Sequence, residues 1–279
     1  MSAPTEKAVS FCCQEERLMG IIHRPAQPAT IGVVIVVGGP QYRVGSHRQF
    51  VLLARHLAQH GVAVMRFDYR GMGDASGEQR DFEQVDDDIR CAVDLLMTEE
   101  PTIKECILWG LCDAASAAAF YAQHDSRILG LVLVNPWVRT TQTQAQTHLK
   151  HYYRQRSMDP EFWRKLFGKR LSLATVTRSF IDQCKQAFNK PATTQQLPER
   201  VLNSLQHFSG RVLIVLSGND LTAQEFSVVA TSSPAWRQLL SQPRFAHQRL
   251  ELADHTFSSK VWRDQVAAWT LDWLVQTKL

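Results

Sequence analysis

Short apolar runs alternate with amphipathic stretches along most of the chain. A continuous apolar run at 31–37 is typical of a strand buried on both faces, and mostly apolar runs at 62–67, 106–109, 128–134 and 211–216 predict further strands. Apolar residues at helical spacing lie between them, at 50–60 and at about 82–97. Strands that alternate with helices in this way predict a parallel sheet with helices on both faces.

The two ends of the chain add further elements. Segments 8–13 and 17–23 predict an antiparallel hairpin with its turn at 14–16, placed at an edge of the sheet. Segment 244–252 predicts another strand, and 258–276 predicts a closing helix.

The alternation breaks between 139 and 210, where the pattern predicts helices alone. These helices cover 142–156, 159–166, 172–188 and 198–208. We therefore predict an α/β core formed by 1–138 and 211–279, with 139–210 inserted as a helical cap between two strands of one sheet.

Charge is unevenly divided between these two parts. The predicted cap holds twelve basic and four acidic side chains, a net charge of +8, whereas the rest holds 19 basic and 23 acidic, a net charge of −4. Such a cap either steers an anionic substrate toward a cleft or is a solvated helical face, and the sequence favours neither.

Composition narrows the class of protein. Of 279 residues, 44% are hydrophobic and 21% are charged, which is typical of a soluble globular protein. The net charge of +4 is too small to indicate nucleic-acid binding. No apolar run is long enough to span a membrane and the first residues lack a signal-peptide pattern, so we expect a cytoplasmic protein.

Six cysteines are scattered through the sequence without C-x-x-C pairs or histidines at metal-ligand spacing. They are Cys12, Cys13, Cys91, Cys106, Cys112 and Cys184. We expect neither a metal site nor a disulfide framework, and most of these residues should be reduced thiols in the core. No cofactor is indicated.

The segment 106–119, C-I-L-W-G-L-C-D-A-A-S-A-A-A, predicts a strand, a sharp turn and a helix. Its centre matches the nucleophile elbow, in which small residues flank a nucleophile at the top of a strained turn. Gly110 and Ala114 are the small flanks and Cys112 takes the place that is usually Ser. A lone cysteine is more often a small buried hydrophobe, so this assignment needs partners elsewhere in the chain.

Two residues farther along the chain supply those partners in the order that this fold uses, nucleophile, acid, then histidine. Asp220 follows the strand at 211–216 and His255 follows the strand at 244–252. Both belong at the carboxyl edge of the sheet, where catalytic groups gather. We predict a triad of Cys112, Asp220 and His255; a turn cap at Asp220 is the structural alternative, and Asp254 is a rival for the acid.

The oxyanion hole of such a site needs two backbone donors. The first should be the N–H of Asp113, directly after the nucleophile. The second should be the N–H of Gly39 or of Gln41, because Pro40 has none. Alignment of Gly38-Gly39-Pro40 with an H-G-G-P loop favours Gly39 and puts Val37 in the histidine position.

The loop 67–77, F-D-Y-R-G-M-G-D-A-S-G, resembles the D-x-R-G-x-G-x-S segment of α/β hydrolases, where we expect it to brace the fold. The chain looks like an α/β hydrolase throughout: a mostly parallel central sheet, helices on both faces and an inserted cap. More closely, G-G-P-Q-Y-R-V-G-S-H-R-Q-F, G-L-C-D-A-A-S-A, H-Y-Y-R-Q-R and F-W-R-K-L are similar to the first of two hydrolases associated with the exosortase A system of exopolysaccharide-producing bacteria. This resemblance implies a hydrolase in exosortase-linked or exopolysaccharide metabolism, but it supplies no substrate.

A cysteine at the elbow implies an acyl-cysteine intermediate on an ester or thioester substrate, as in the Cys-Asp-His variant of dienelactone hydrolases. Water would release the acyl group, whereas another acceptor would make the protein an acyltransferase. A catalytically silent binding protein that kept the fold is the third hypothesis. The expected partner is a small acyl molecule, anionic if the cap steers it; substrate-binding residues and oligomeric state are not predicted.

Overall fold

A single eight-stranded sheet organises the computed structural model, which describes residues 3–39, 41–139 and 196–276. The strands are β1 (Thr5–Cys13), β2 (Glu16–Arg24), β3 (Ile31–Val36), β4 (Ala63–Asp68), β5 (Glu105–Leu111), β6 (Ile128–Val134), β7 (Arg211–Ser217) and β8 (Phe245–Leu250). Their order is β1-β2-β4-β3-β5-β6-β7-β8. β2 is antiparallel to both neighbours, and the pairs from β4 to β8 are parallel. The predicted fold class and the antiparallel hairpin at the edge are confirmed.

Helices cover both faces of this sheet. In the described ranges they are α1 (Gln49–Gln59), α2 (Asp86–Glu99), α3 (Asp113–Ala122), α4 (Leu197–His207), α5 (Leu221–Ser232), α6 (Pro234–Leu240) and α7 (Lys260–Gln276). One apolar core unites the sheet with α2 to α6, and a second unites it with α1 and α7. Alternate residues of β3 enter opposite cores, Val34 the first and Ile35 the second, as the two-residue repeat of a strand requires.

The structure refines the predicted elements between β4 and β8. The helix predicted at about 82–97 is divided into a 3₁₀ turn, Phe82–Gln84, and α2. Helices α5 and α6, between β7 and β8, were not predicted at all. The α5 sequence is rich in Ser, Thr and Val, which are weak helix formers, and it gives no clear amphipathic period.

Most of the predicted cap lies outside the described residues. The helices predicted at 142–156, 159–166 and 172–188 fall there, as does Cys184, whereas the helix predicted at 198–208 is α4. The division into core and cap therefore stays a prediction. Two basic residues of the predicted cap are described, and both are paired: Arg139 Nε lies 2.9 Å from Oε2 of the buried Glu225, and Arg200 pairs with Glu83.

The loop after β4 has the bracing contacts expected for it. The buried carboxylate of Asp68 accepts hydrogen bonds from the N–H groups of Arg43 (2.7 Å) and Asp74 (3.1 Å) and pairs with the Arg43 guanidinium. Arg70 is almost fully buried and pairs with the buried Asp88 of α2, with 2.7 Å between Nη2 and Oδ2. These contacts tie the loop to the segment after β3 and to α2.

None of the helices in the described ranges has the length and apolarity that crossing a membrane requires.

Candidate active site

Cys112 occupies a sharp turn between β5 and α3. Its backbone has φ 64° and ψ −125°, a conformation that L-residues rarely adopt. Its N–H donates to the carbonyl of Val134 (2.9 Å), and its own carbonyl accepts from the N–H of Trp137 (3.2 Å). A Cβ on Gly110 would lie 2.5 Å from the carbonyl oxygen of Ala114, so the turn has no room for a side chain there. This is the strained geometry of the predicted elbow.

The thiol of Cys112 differs from two other thiols in its surroundings. Cys112 is partly buried and lies against the core that contains α1 and α7. Cys13 and Cys106 are fully buried, and burial raises the pKa of each to about 12. Neutral buried thiols of that kind are poor nucleophiles. The accessibility of its thiol therefore distinguishes Cys112 from Cys13 and Cys106.

Asp220 lies directly after β7 and has two roles in the geometry. As the N-cap of α5 it accepts hydrogen bonds from the N–H groups of Thr222 (3.3 Å) and Ala223 (3.0 Å). Its Oδ2 also lies 3.0 Å from Nδ1 of His255. The structural alternative was a turn cap, and the side chain instead caps the helix that follows the turn while it also pairs with His255.

His255 interacts with both of the other predicted triad residues. Nδ1 of its ring lies 3.0 Å from Oδ2 of Asp220, so the two side chains form an ion pair when the ring is protonated. Burial of the ring disfavours its charged form, but the contacts with Asp220 and Cys112 outweigh burial and raise the pKa of His255 to about 10. An imidazole in this setting is protonated at neutral pH when it faces both the carboxylate and a thiolate.

Asp254, the rival acid, is committed to its own loop. Its carboxylate accepts from the N–H groups of Thr256 (3.2 Å) and Ser258 (3.0 Å) and from the Ser258 hydroxyl. Burial works against its charged form, but these hydrogen bonds and the nearby His47 outweigh burial and lower the pKa of Asp254. The geometry therefore joins His255 to Asp220, while Asp254 shapes the turn that carries His255.

The two N–H groups that were expected to supply the second oxyanion donor both donate to groups within the protein. The N–H of Gly39 donates to Oδ2 of Asp113 (2.9 Å), and the N–H of Gln41 donates to the carbonyl of Gly39 (2.8 Å). Both candidates for the second donor are thus engaged within the protein. The N–H of Asp113 lies in the first turn of α3, where backbone donors have no partner within the helix.

The Asp113 carboxylate is fitted closely between the elbow and the loop after β3. It also accepts from the N–H of Ala114 (2.9 Å), and a Cβ on Gly38 would collide with its Oδ1. Burial raises the pKa of Asp113, and the hydrogen bonds from Gly39 and Ala114 oppose that effect. From the sequence we expected only the backbone N–H of Asp113 to have a role. Nothing in the sequence predicted the contact between its carboxylate and the N–H of Gly39.

One residue near the site was not found from the sequence. Asn135 follows β6, is fully buried and has φ 45°. Its side chain is hydrogen-bonded to the backbone of Ser217, at the end of β7, and to that of His255. The dipeptide Asn135-Pro136 at a strand end is a turn signal that could have drawn notice to it.

Within the ranges that the structure describes, no three His, Cys, Asp or Glu side chains are grouped so that they could hold a metal ion.

Comparisons with known proteins identify the family. The sequence model of the family described as Serine aminopeptidase, S33 (Hydrolase_4) matches residues 29–213, about two thirds of the chain. The polyketide transferase GrgF of a Penicillium species is 30% identical over 94 residues, which are 32% of this chain and 32% of that protein. The chain thus matches about a third of the length of this curated relative.

Solved structures agree on the fold. An esterase of Pyrococcus furiosus, Pf2001, aligns over 98% of this chain and 91% of its own with a TM-score of 0.67 and 17% identity. A dienelactone hydrolase of Anabaena variabilis aligns over 99% of both chains with a TM-score of 0.64 and 17% identity. The GrgF structure aligns over 98% of both chains with a TM-score of 0.65 and 17% identity. The chain belongs to the Serine aminopeptidase, S33 family of hydrolases and has the α/β-hydrolase fold.

Proposed function

We propose that this protein cleaves an ester or thioester bond through a Cys112–His255–Asp220 triad. One observation carries the proposal: His255 contacts both Asp220 and Cys112, although the three residues follow three different strands. A cysteine departs from the family name, which specifies a serine, so the expected intermediate is a thioester and not an oxygen ester.

The proposed cycle has two halves. In the first, the Cys112 thiolate attacks the acyl carbon, the tetrahedral intermediate collapses, and the leaving group departs with a proton from His255. In the second, His255 takes a proton from water, the resulting hydroxide attacks the thioester, and the thiolate leaves as the acid product forms. Asp220 holds the imidazole and stabilises its charged form in both halves.

Two features near Cys112 would stabilise negative charge on the attacking sulfur. The protonated His255 lies against the sulfur, and the positive end of the ten-residue helix α3 begins at the next residue. The Asp113 carboxylate opposes these effects because it is also negative. We propose that the N–H groups of Asp113 and Gly39 stabilise the oxyanion, which requires the Asp113 side chain to release the Gly39 N–H first.

An acyltransferase that uses the same thioester is the second candidate. The observation that favours it is the name of the curated relative, polyketide transferase. Partition of the products separates the two activities: with an added thiol or amine acceptor, a transferase forms the new acyl product in preference to the free acid, whereas a hydrolase forms mainly the acid.

The biological setting rests on the sequence resemblance alone. We propose a cytoplasmic enzyme of exosortase-linked or exopolysaccharide metabolism. Five cysteines are free thiols in the described ranges, which fits a reducing compartment. The proposed substrate is a small acyl molecule, which is anionic if the basic residues of the predicted cap steer it.

Turnover of activated esters and thioesters by the wild type and by Cys112→Ala tests the proposal. We expect Cys112→Ala to abolish turnover while the free energy of unfolding changes by no more than about 1 kcal/mol, because only one small atom is lost. Cys112→Ser should also be poor, since a hydroxyl needs a stronger base than a thiol does. Cys12→Ala, which changes an exposed cysteine on β1, is the matched control and should leave turnover unchanged.

Retention of more than a tenth of the turnover by Cys112→Ala would rule out Cys112 as the nucleophile. A silent binding protein would show no turnover in the wild type and no acylated thiol.

A further inference from the structure

The segment that follows β6 contacts the loops of all three proposed triad residues. Val134 accepts the N–H of Cys112, and the N–H of Trp137 donates to the Cys112 carbonyl. Between them, Asn135 contacts the strand that leads to Asp220 and the loop that carries His255. One four-residue stretch, 134–137, is therefore hydrogen-bonded to the elbow, to β7 and to the loop that carries His255.

The Asn135 side chain makes the contacts to the acid and histidine segments. Its Oδ1 accepts the N–H of Ser217, the last residue of β7, at 2.9 Å. Its Nδ2 donates to the carbonyl of His255 at 3.0 Å. Its own N–H donates to Val215 at 2.9 Å, so the residue is also fixed to β7 through its backbone.

The chemistry of the partners determines how this amide is oriented. The Ser217 N–H can only donate and the His255 carbonyl can only accept, so the oxygen of Asn135 must face Ser217 and the nitrogen must face His255. The residue is fully buried, where an unpaired amide group would be costly. Its φ of 45° is a left-handed conformation that Asn tolerates better than most residues.

We propose that Asn135 is a positioning residue that sets the distance between the His255 loop and the end of β7, and so aligns the imidazole with Asp220 and Cys112. This inference rests on the proposed function, because it concerns the same triad. Nδ1 of His255 lies 3.0 Å from Oδ2 of Asp220, so the position of the loop that carries His255 sets this contact. A shift of about 1 Å at such a site can cost about 10²-fold in rate.

Two substitutions separate the side-chain contacts from the backbone conformation. Asn135→Asp has nearly the same shape and keeps an acceptor for Ser217, but it has no donor for the His255 carbonyl. Asn135→Gly adopts the left-handed backbone without strain and loses both side-chain contacts. Asn219→Asp is the control: it places the same negative charge one residue before Asp220, on an exposed side chain.

The measurement is kcat and KM for an activated ester, per folded molecule counted by circular dichroism, together with the rate at which iodoacetamide alkylates Cys112 at pH 7, followed by peptide mass spectrometry. We expect both Asn135 variants to lose about 10²-fold in kcat with KM little changed. Alkylation of Cys112 at pH 7 should also be slower, because a displaced His255 no longer interacts with the sulfur. Asn219→Asp should change neither quantity by more than about threefold.

The outcomes distinguish this inference from the proposed function. If Cys112→Ala is inactive while both Asn135 variants keep the wild-type kcat per folded molecule and the wild-type rate of Cys112 alkylation, Asn135 has no positioning role. If Cys112→Ala keeps its turnover, the triad itself is wrong. Should Asn135→Asp fail to fold, Asn135→Gly decides alone, since circular dichroism gives the folded fraction to which its kcat is normalised.

Discussion

Strained residues lie at the carboxyl edge of the sheet. Cys112 and Asn135 have positive φ, and so does Phe257, two residues after His255. Each such conformation costs of order 1–3 kcal/mol and persists where the surrounding contacts over-determine it. At Cys112 the contacts are backbone hydrogen bonds to Val134 and Trp137, and at Asn135 they are the three bonds to Val215, Ser217 and His255. The rigidity of the proposed site thus depends on hydrogen bonds between loops that are far apart in sequence.

The two aspartates near His255 should differ sharply in their effect on rate. Asp220→Asn should lower kcat by about 10³- to 10⁴-fold, because the imidazole loses the carboxylate that orients it and stabilises its charge. Asp254→Asn should lower kcat by less than about tenfold, since its oxygens bond to Thr256 and Ser258. Steady-state kinetics on one activated ester compares the pair directly. The opposite ranking would transfer the role of the acid to Asp254.

Removal of the charge on Asp113 should make the Cys112 thiol more reactive. Asp113→Asn keeps an acceptor for the Gly39 N–H but removes a negative charge beside the thiolate. We expect iodoacetamide to alkylate Cys112 about three- to tenfold faster at pH 6, a change of about 1 kcal/mol in thiolate stability. Asp74→Asn, at an exposed aspartate that pairs with Arg43, is the control and should have no effect. A slower reaction in Asp113→Asn would show that the carboxylate supports the site through its contacts and not through its charge.

The three residues of the proposed triad could be named from the sequence because each was expected to follow a strand in a fixed chain order, and their catalytic role stays a prediction. The contact between Asp113 and Gly39 could not be predicted, because it depends on the side-chain direction of a residue in a strained turn. Asn135 was missed for a related reason: its partners, Ser217 and His255, are 82 and 120 positions away in the chain. Periodicity carries no information about a single long-range side-chain bond.

At the scale of elements, buried ion pairs fix loops to helices. The pair of Arg70 and Asp88 lies between the loop after β4 and α2, and both side chains are almost fully buried. The sequence predicted a bracing role for this loop from its resemblance to other hydrolases, but the partner Asp88 on α2 is visible in the structure alone. The side chain of the neighbouring Asp87 is 39% exposed; it pairs with Arg90 at 2.7 Å and lies 4.0 Å from Nη2 of Arg70.

Adjacent aspartates of α2 should therefore differ in their contribution to stability. Asp88→Asn should lower the free energy of unfolding by about 3–5 kcal/mol, because it leaves the Arg70 guanidinium buried without its counter-charge. Asp87→Asn should lower it by no more than about 1 kcal/mol, as expected for an exposed pair. Urea unfolding of the two variants measures both values. Equal losses of unfolding free energy in the two variants would mean that burial of the Arg70–Asp88 pair does not determine its contribution to stability.

At the scale of the whole molecule, the order of strands and helices in the core follows from the alternating pattern and from the chirality of parallel connections. The polar and β-branched composition of α5 conceals its periodicity, which is why the connection from β7 to β8 was predicted without helices. Most of the basic residues of the predicted cap lie outside the described ranges. Arg139 and Arg200 are the described ones, and their pairing with Glu225 and Glu83 leaves them little free charge.

The steering hypothesis therefore depends on other cap residues, and charge reversal tests it. Reversal of Arg164, Lys165, Lys169 and Arg170 should lower kcat/KM for an anionic ester with kcat nearly unchanged, because steering acts on encounter. The loss should shrink as salt rises, since the Debye length falls from about 10 Å at 0.1 M to about 3 Å at 1 M. A neutral ester is the control. Equal responses of the two esters, or no salt effect on the wild type, would identify the basic residues as a solvated face.

The central claim is that the acyl group is carried on Cys112, and covalent trapping tests it most directly. The wild type would be mixed with an activated ester, quenched in acid within the first turnovers, digested and analysed by peptide mass spectrometry. We predict a mass increase equal to the acyl group on the peptide that contains Cys112, which hydroxylamine removes, as it does thioesters. An acyl group on another residue would contradict the account. So would an enzyme that turns over the ester at a steady rate but shows no modified Cys112 in samples quenched early in the reaction.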